Sequence, residues 1–183
     1  MSAGEQGTSR SGVRLDVRGS GSAGVETGLP VLNSLIERLA GVARFDLVLE
    51  LEPGDAAAEV DAAGDALGEA LAGPLRKPGA NGWGSATLTS AEALAHVALE
   101  TSEEPLLVSN VDLTEARIGG LDRDVARSFL EHFAERAGVV LHVRLLNGTD
   151  TQHVLESIFK ALGAALAQAC TVQGPRLHEG GEQ

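Results

Sequence analysis

Between Gly148 and Ala167 the chain reads GTDTQHVLESIFKALGAALA, and apolar Leu155, Phe159, Leu162 and Leu166 recur at i, i+4, i+7 and i+11. That period predicts a helix with one face turned to a core, with Thr149, Asp150 and Thr151 ahead of it as candidate N-cap oxygens. Earlier in the chain, Val13, Leu15 and Val17 alternate with Arg14, Asp16 and Arg18, the pattern of a half-exposed strand. GSGSAG then reads as a turn, and Val25 to Thr27 as the returning strand of a hairpin. A helix is predicted from Pro30 to Leu39, with Pro30 suited to an early helical position. Phe45, Leu47, Leu49 and Leu51 alternate along a strand that ends at Pro53-Gly54, and an Ala-rich helix follows from Ala56 to Ala72. Gly73-Pro74 to Gly84 reads as a long connection. Ser90 to Leu99 fits a helix as SAEALAHVAL and fits a strand almost as well, through alternation of Ala93, Ala95, Val97 and Leu99. Leu106 to Val111 is a predicted strand, Gly119-Gly120 a break, Asp122 to Arg136 a helix, and Val139 to Leu146 a strand.

The pattern repeats. Ala66 to Ala72 reads ALGEALA and Ala161 to Ala167 reads ALGAALA, and each copy follows a helix-then-strand unit with a Glu-Arg pair on its helix, Glu37-Arg38 and Glu135-Arg136. Two such stretches in the same order argue for duplication of one α+β unit. The expected organisation is a tail over 1–12, a first half over 13–89, a second half over 90–172 and a tail over 173–183.

Composition narrows the partners. A formal charge of -12, aromatics at 3% and no Tyr argue against nucleic acid, whose phosphates are repelled and whose bases find no stacking platform. The single Cys170 excludes an intrachain disulfide framework. No apolar run is long enough for a bilayer and MSAGEQGTSRSG lacks a signal-peptide core, so no membrane partner and a cytoplasmic location are the expectations.

The chemistry concentrates at the start of the last helix, where His153 and Glu156 stand at i and i+3, a metal-ligand spacing. The alternative is structural, with Glu156 favourable beside the helix N-terminus. GSGSAG sits between two strands and not before a helix, so a turn is the expectation there, not a phosphate cradle. His132 is expected on an exposed part of a helix and His178 in the tail.

TGLPVLNSLIERLA with ARFDL, then VDAAGDALGEAL, then GVVLHVRLLNGTDTQHVLESIFKALGAAL, resembles the imidazoleglycerol-phosphate dehydratases of histidine biosynthesis, in order from about Val13 to Val172. The resemblance implies an α+β fold of two similar halves, each a four-stranded sheet with two helices packed on one face. It further implies trimers assembled into a larger shell, with shared active sites holding two manganese ions.

Site residues carry over unevenly. The family's second His-His-x-x-Glu motif stands here as Gln152-His153-Val154-Leu155-Glu156, and its first falls on Ala57-Ala58-Glu59-Val60-Asp61. Its Phe-Leu-Asp-His lands on Val31-Leu32-Asn33-Ser34, and a further His on Val42. His142 matches a ligand. The residual metal set implied is His142, His153, Glu156 and Asp61, with Glu59 as another candidate to complete it. Where the family has Ser-Gly-Arg-Pro for phosphate, this chain has Ser102-Glu103-Glu104-Pro105, a carboxylate in place of a bidentate guanidinium. Lys160 survives as a substrate-binding candidate. The expectation is a homo-oligomer, a trimer or larger symmetric shell, that acts as a non-catalytic assembly or binding protein. No cofactor is expected, although manganese or another divalent ion fits a residual site. The alternative is an active dehydratase or related metal-dependent lyase with a reduced site.

Overall fold

The computed structural model describes residues 12–111 and 123–174. Residues 1–11, the Gly119-Gly120 break and His178 lie outside this range, as does most of the C-terminal tail. In chain order the elements are β1 (Gly12–Asp16), β2 (Ala23–Glu26), α1 (Pro30–Ala43), β3 (Asp46–Glu50), α2 (Ala56–Leu75), β4 (Trp83–Ser90), β5 (Ala93–Thr101), β6 (Leu106–Ser109), α3 (Arg123–Ala137), β7 (Val139–Asn147) and α4 (Thr151–Cys170).

The first sheet runs β1-β3-β2, and here the hairpin reading fails. β1 pairs antiparallel with β3 and β2 pairs parallel with β3, so β3 inserts between the two strands expected to be neighbours. GSGSAG is therefore not a two-strand turn but a loop wrapped around a carboxylate. Asp46 Oδ1, at the start of β3, accepts from the backbone N–H groups of Ser20, Gly21 and Ser22 at 2.8, 3.1 and 3.0 Å. These donors, that of Ser22 foremost, hold the Asp46 carboxyl below its ordinary value.

The second sheet runs β4-β5-β7-β6. Ser90 to Leu99 resolves to the end of β4, a turn at Ala91 and Glu92, and the first part of β5, whose Ala93, Ala95, Val97 and Leu99 are all buried on the helix side. The expected connection up to Gly84 is shorter than read: α2 continues through Pro74 to Leu75, and β4 begins at Trp83. β4 has a weak apolar alternation, because of its inward positions Gly84, Ala86, Leu88 and Ser90 only Leu88 is a large apolar residue. Gly84 has to be small, since a Cβ there would lie 2.0 Å from the Ala165 carbonyl oxygen.

The helices lie between the sheets, α1 and α2 against the first, α3 and α4 against the second, and they pair across the halves as α1 with α4 and α2 with α3. The sequence echo explains how. Gly68 and Gly163 occupy the same place in ALGEALA and ALGAALA, and each lets a helix backbone approach. A Cβ on Gly68 would meet the Phe133 carbonyl oxygen of α3 at 2.7 Å, and one on Gly163 the Leu39 carbonyl oxygen of α1 at 2.4 Å. The duplicated units thus embrace one another reciprocally, and the fold is α+β as expected.

Leu155, Phe159, Leu162 and Leu166 are all buried, each such burial stabilising by roughly 1.5–3 kcal/mol. Phe159 meets Phe129 of α3 with ring centroids 5.3 Å apart. Cys170 is buried at the end of α4, and burial pushes its thiol up to about 11, so it stays protonated at neutral pH. Among the described residues no helix is long and apolar enough to cross a membrane.

Candidate functional site

Asp150 caps α4, its Oδ1 accepting from the His153 N–H at 3.0 Å. This cap fixes the first turn, from which Gln152, His153 and Glu156 project. The β4–β5 turn comes alongside, with Ala91 held at φ 46°. From that turn Glu92 reaches α4, its Oε1 accepting from the Asp150 N–H at 3.0 Å and its Oε2 lying 2.6 Å from His153 Nδ1. The Asp150 N–H first, and His153 with it, hold the Glu92 carboxyl down at about 2, while that contact raises the imidazole above its ordinary value.

Glu156 lies on the buried side of the same turn. Its Oε2 accepts from Ser90 Oγ at 2.7 Å; its Oε1 accepts from Gln152 Nε2 at 3.2 Å and pairs with Arg38 Nη2 of α1 at 3.3 Å. Burial alone would raise this carboxyl, but the Ser90 and Gln152 hydrogen bonds and the Arg38 charge outweigh it, and the net shift is downward. Lys160, one turn further on, is also committed, its Nζ donating to the Thr89 carbonyl at 2.6 Å.

The other candidates lie elsewhere. His142 is on β7 opposite Ala98 and Val108, exposed, while its neighbours Leu141 and Val143 are buried. Strand alternation therefore puts it on the outer face of the sheet, away from α4. Asp61 lies in the seam between α2 and α3, accepting from Ser128 Oγ at 2.5 Å and 3.6 Å from His132 Nε2. His132 is not the exposed residue expected, for its Nδ1 also sits 3.0 Å from Asp65 Oδ1 and it is half-buried. Glu59 is buried and accepts from the Gly54 N–H at 2.7 Å. The fold thus brings His153 and Glu156 together, and leaves His142 and Asp61 in two further places.

Sequence reading missed Glu92, Ser90 and Arg38, which hold the two central side chains. An acidic residue in a tight strand-to-strand connection and the Glu37-Arg38 pair were the available signals, but neither says which distant group it meets.

Residues 27–166 match the sequence profile of the imidazoleglycerol-phosphate dehydratases. The chain belongs to the imidazoleglycerol-phosphate dehydratase family. The enzyme of that name from Pelobacter propionicus is 36% identical over 172 residues, covering 90% of this chain and 88% of its own length. That from Aromatoleum aromaticum is 40% identical over 161 residues, 85% and 82% of the two chains. The Staphylococcus aureus dehydratase structure superposes with a TM-score of 0.81 at 25% identity, covering 88% of this chain and 93% of that one.

Within a single chain the described residues do not assemble either of the two manganese sites that the family resemblance implies. Among the described residues no group of three or more His, Cys, Asp or Glu is placed to hold a metal ion, whereas a closed site takes three or four ligands. Glu156, a ligand by the family motif, has its oxygens engaged by Ser90, Gln152 and a guanidinium.

Proposed function

We propose that this dehydratase-family chain serves as a non-catalytic assembly or binding protein. The state of Glu156 carries the reading: its carboxylate is already neutralised by Arg38 and hydrogen-bonded by Ser90 and Gln152. A divalent ion would have to displace a charge that belongs to the protein. Where the resemblance implies further imidazoles the chain has Ser34, Val42, Ala57, Ala58 and Gln152, and where it implies a phosphate-gripping arginine it has Glu104. Trp83, Leu106 and Leu146, exposed on the outer face of the second sheet, support self-association as a trimer or larger shell.

A second reading is an active hydro-lyase of the dehydratase type, acting in histidine biosynthesis with a reduced site and manganese or another divalent ion. Its support is the name shared by relatives 35–40% identical over most of the chain, together with retention of His142, His153, Glu156 and Lys160. By comparison alone this reading is the better supported; the engagement of Glu156 favours the first. His142 and His153 stand apart within one chain, so a residual site using both draws on more than one subunit.

The purified oligomer, supplied with manganese and imidazoleglycerol phosphate, separates the two. The first reading expects no dehydration above the rate without protein. Turnover that disappears in Glu156→Ala and His153→Ala establishes the second.

A further inference from the structure

The chain has four asparagines, and the fold treats one of them differently. Asn33 accepts from the Thr27 N–H at 2.9 Å. Asn110 donates to the Leu145 carbonyl at 3.2 Å and accepts from the Leu145 N–H at 2.8 Å. Asn81 is held at both ends of its amide, Nδ2 donating to the Gln168 carbonyl at 2.7 Å and Oδ1 accepting from Gln173 Nε2 at 2.9 Å. Asn147 is exposed, and among the described residues no hydrogen bond ties its side chain.

Two of the four, Asn81 and Asn147, precede a glycine. This is the chemically labile pairing, because a main-chain nitrogen with no Cβ beside it can approach the side-chain amide carbon. At Asn81 the fold blocks that approach, since the Gly82 N–H is already committed to the Ala169 carbonyl at 2.9 Å. Asn147 ends β7 opposite Leu94, where the ladder slips between Leu94 and Ala95, and Gly148 lies beyond the strand. A bulge of this kind leaves the local ladder disrupted. Gly148 itself cannot be exchanged for a larger residue: its φ is 133°, and a Cβ there would stand 2.8 Å from that of Ala93. Packing against β5 therefore fixes glycine after Asn147.

We propose that Asn147-Gly148 is a self-modifying site, whose conversion to isoaspartate and aspartate alters the start of α4. The Gly148 main-chain nitrogen gives up its proton and attacks Asn147 Cγ; the bond from Cγ to the amide nitrogen breaks, and ammonia leaves with that proton. Water then opens the resulting cyclic imide at either carbonyl, so the sequence is redox-neutral and water is its only co-reactant. Opening at the original main-chain carbonyl leaves Gly148 attached through Cγ, which adds one carbon to the main chain. Opening at Cγ gives aspartate. Either product adds a negative charge. The added carbon falls just before Thr149 and Asp150, whose N–H groups donate to Glu92 Oε1 at 3.4 and 3.0 Å. Isoaspartate thus shifts the donors that Glu92 holds.

The test is peptide mass spectrometry of the full chain during incubation at mildly alkaline pH, with chromatography to separate isoaspartyl from aspartyl peptides. Amide hydrogen exchange is followed at Asp150. The expected result is release of ammonia and conversion of Asn147 at least ten times faster than Asn81, with isoaspartate among the products. In urea the two sites should convert at similar rates, because the clamp on Asn81 is gone. The aged protein should exchange its Asp150 amide faster than Asn147→Asp, which carries the charge without the extra carbon. Conversion of Asn147 no faster than Asn81 in the folded chain overturns the proposal. So does a rate difference that persists in urea, which would belong to the sequence and not to the fold. An aged protein whose Asp150 amide exchanges no faster than that of Asn147→Asp overturns it as well.

Discussion

Arg38 of α1 and Glu156 of α4 meet across the two halves, Nη2 to Oε1 at 3.3 Å, with the carboxylate side chain 10% exposed and the guanidinium 48% exposed. The pair ties the packed helices α1 and α4 together through a carboxylate that the family motif would give to a metal. It makes Glu156 a structural anion, held by a cation supplied within the same chain.

Removing that cation is the simplest perturbation. Arg38→Ala is expected to lower stability by about 1 kcal/mol, because a half-exposed pair is screened by water, and to shift the Glu156 carboxyl upward. Thermal denaturation at low and high salt checks it: the difference from the parent protein should shrink as salt rises. Arg38→Ala should also weaken divalent-ion exclusion at Glu156, so any metal uptake appears in this variant before it appears in the parent.

The Glu92–His153 contact gives the protein a pH signature. Glu92 is depressed to about 2, so its contribution is complete above its ordinary value near 4.5 and is lost as pH falls toward 2. His153 is raised, so its contribution is complete below its ordinary 6.5 and is lost as pH rises through the higher folded value. Glu92→Gln should return the His153 titration, followed by NMR, toward 6.5. A titration that stays raised in this variant would assign the shift to Asp150 or Glu156 instead.

The paired glycines predict matched losses. Gly68→Ala and Gly163→Ala each drive a methyl into a backbone carbonyl of the facing helix, and overpacking of this kind costs about 1–3 kcal/mol. Denaturant titration of both variants checks it. A neutral result at Gly163, where the gap is 2.4 Å, would mean that α1 and α4 do not pack as closely as described.

Legibility in the sequence follows from what each signal measures. The α4 stripe was readable because Leu155, Phe159, Leu162 and Leu166 report a single periodic face, and the duplication because Gly68 and Gly163 hold the same packing position in both copies. β4 was hidden because close contact with α4 demands Gly84, and with Ala86 beside it only Leu88 is left as a large apolar residue on the inward face. The β1–β2 hairpin was misread because adjacency in sequence favours it, while β3 wins the central place through Leu47 and Leu49, both buried between two neighbours. At the site, His153 and Glu156 announce themselves by spacing, but their partners Glu92, Ser90 and Arg38 arrive through tertiary structure and leave no local pattern.

In a non-catalytic protein Glu156 is neutralised by Arg38 and not by a metal ion. The most direct measurement is the manganese and zinc bound per chain by elemental analysis, on the folded protein re-equilibrated with each ion and then freed of excess. The expected result is background levels in the parent protein, unchanged by Glu156→Ala. Near-stoichiometric metal that disappears in Glu156→Ala and His153→Ala would contradict it and return the chain to metal-dependent chemistry.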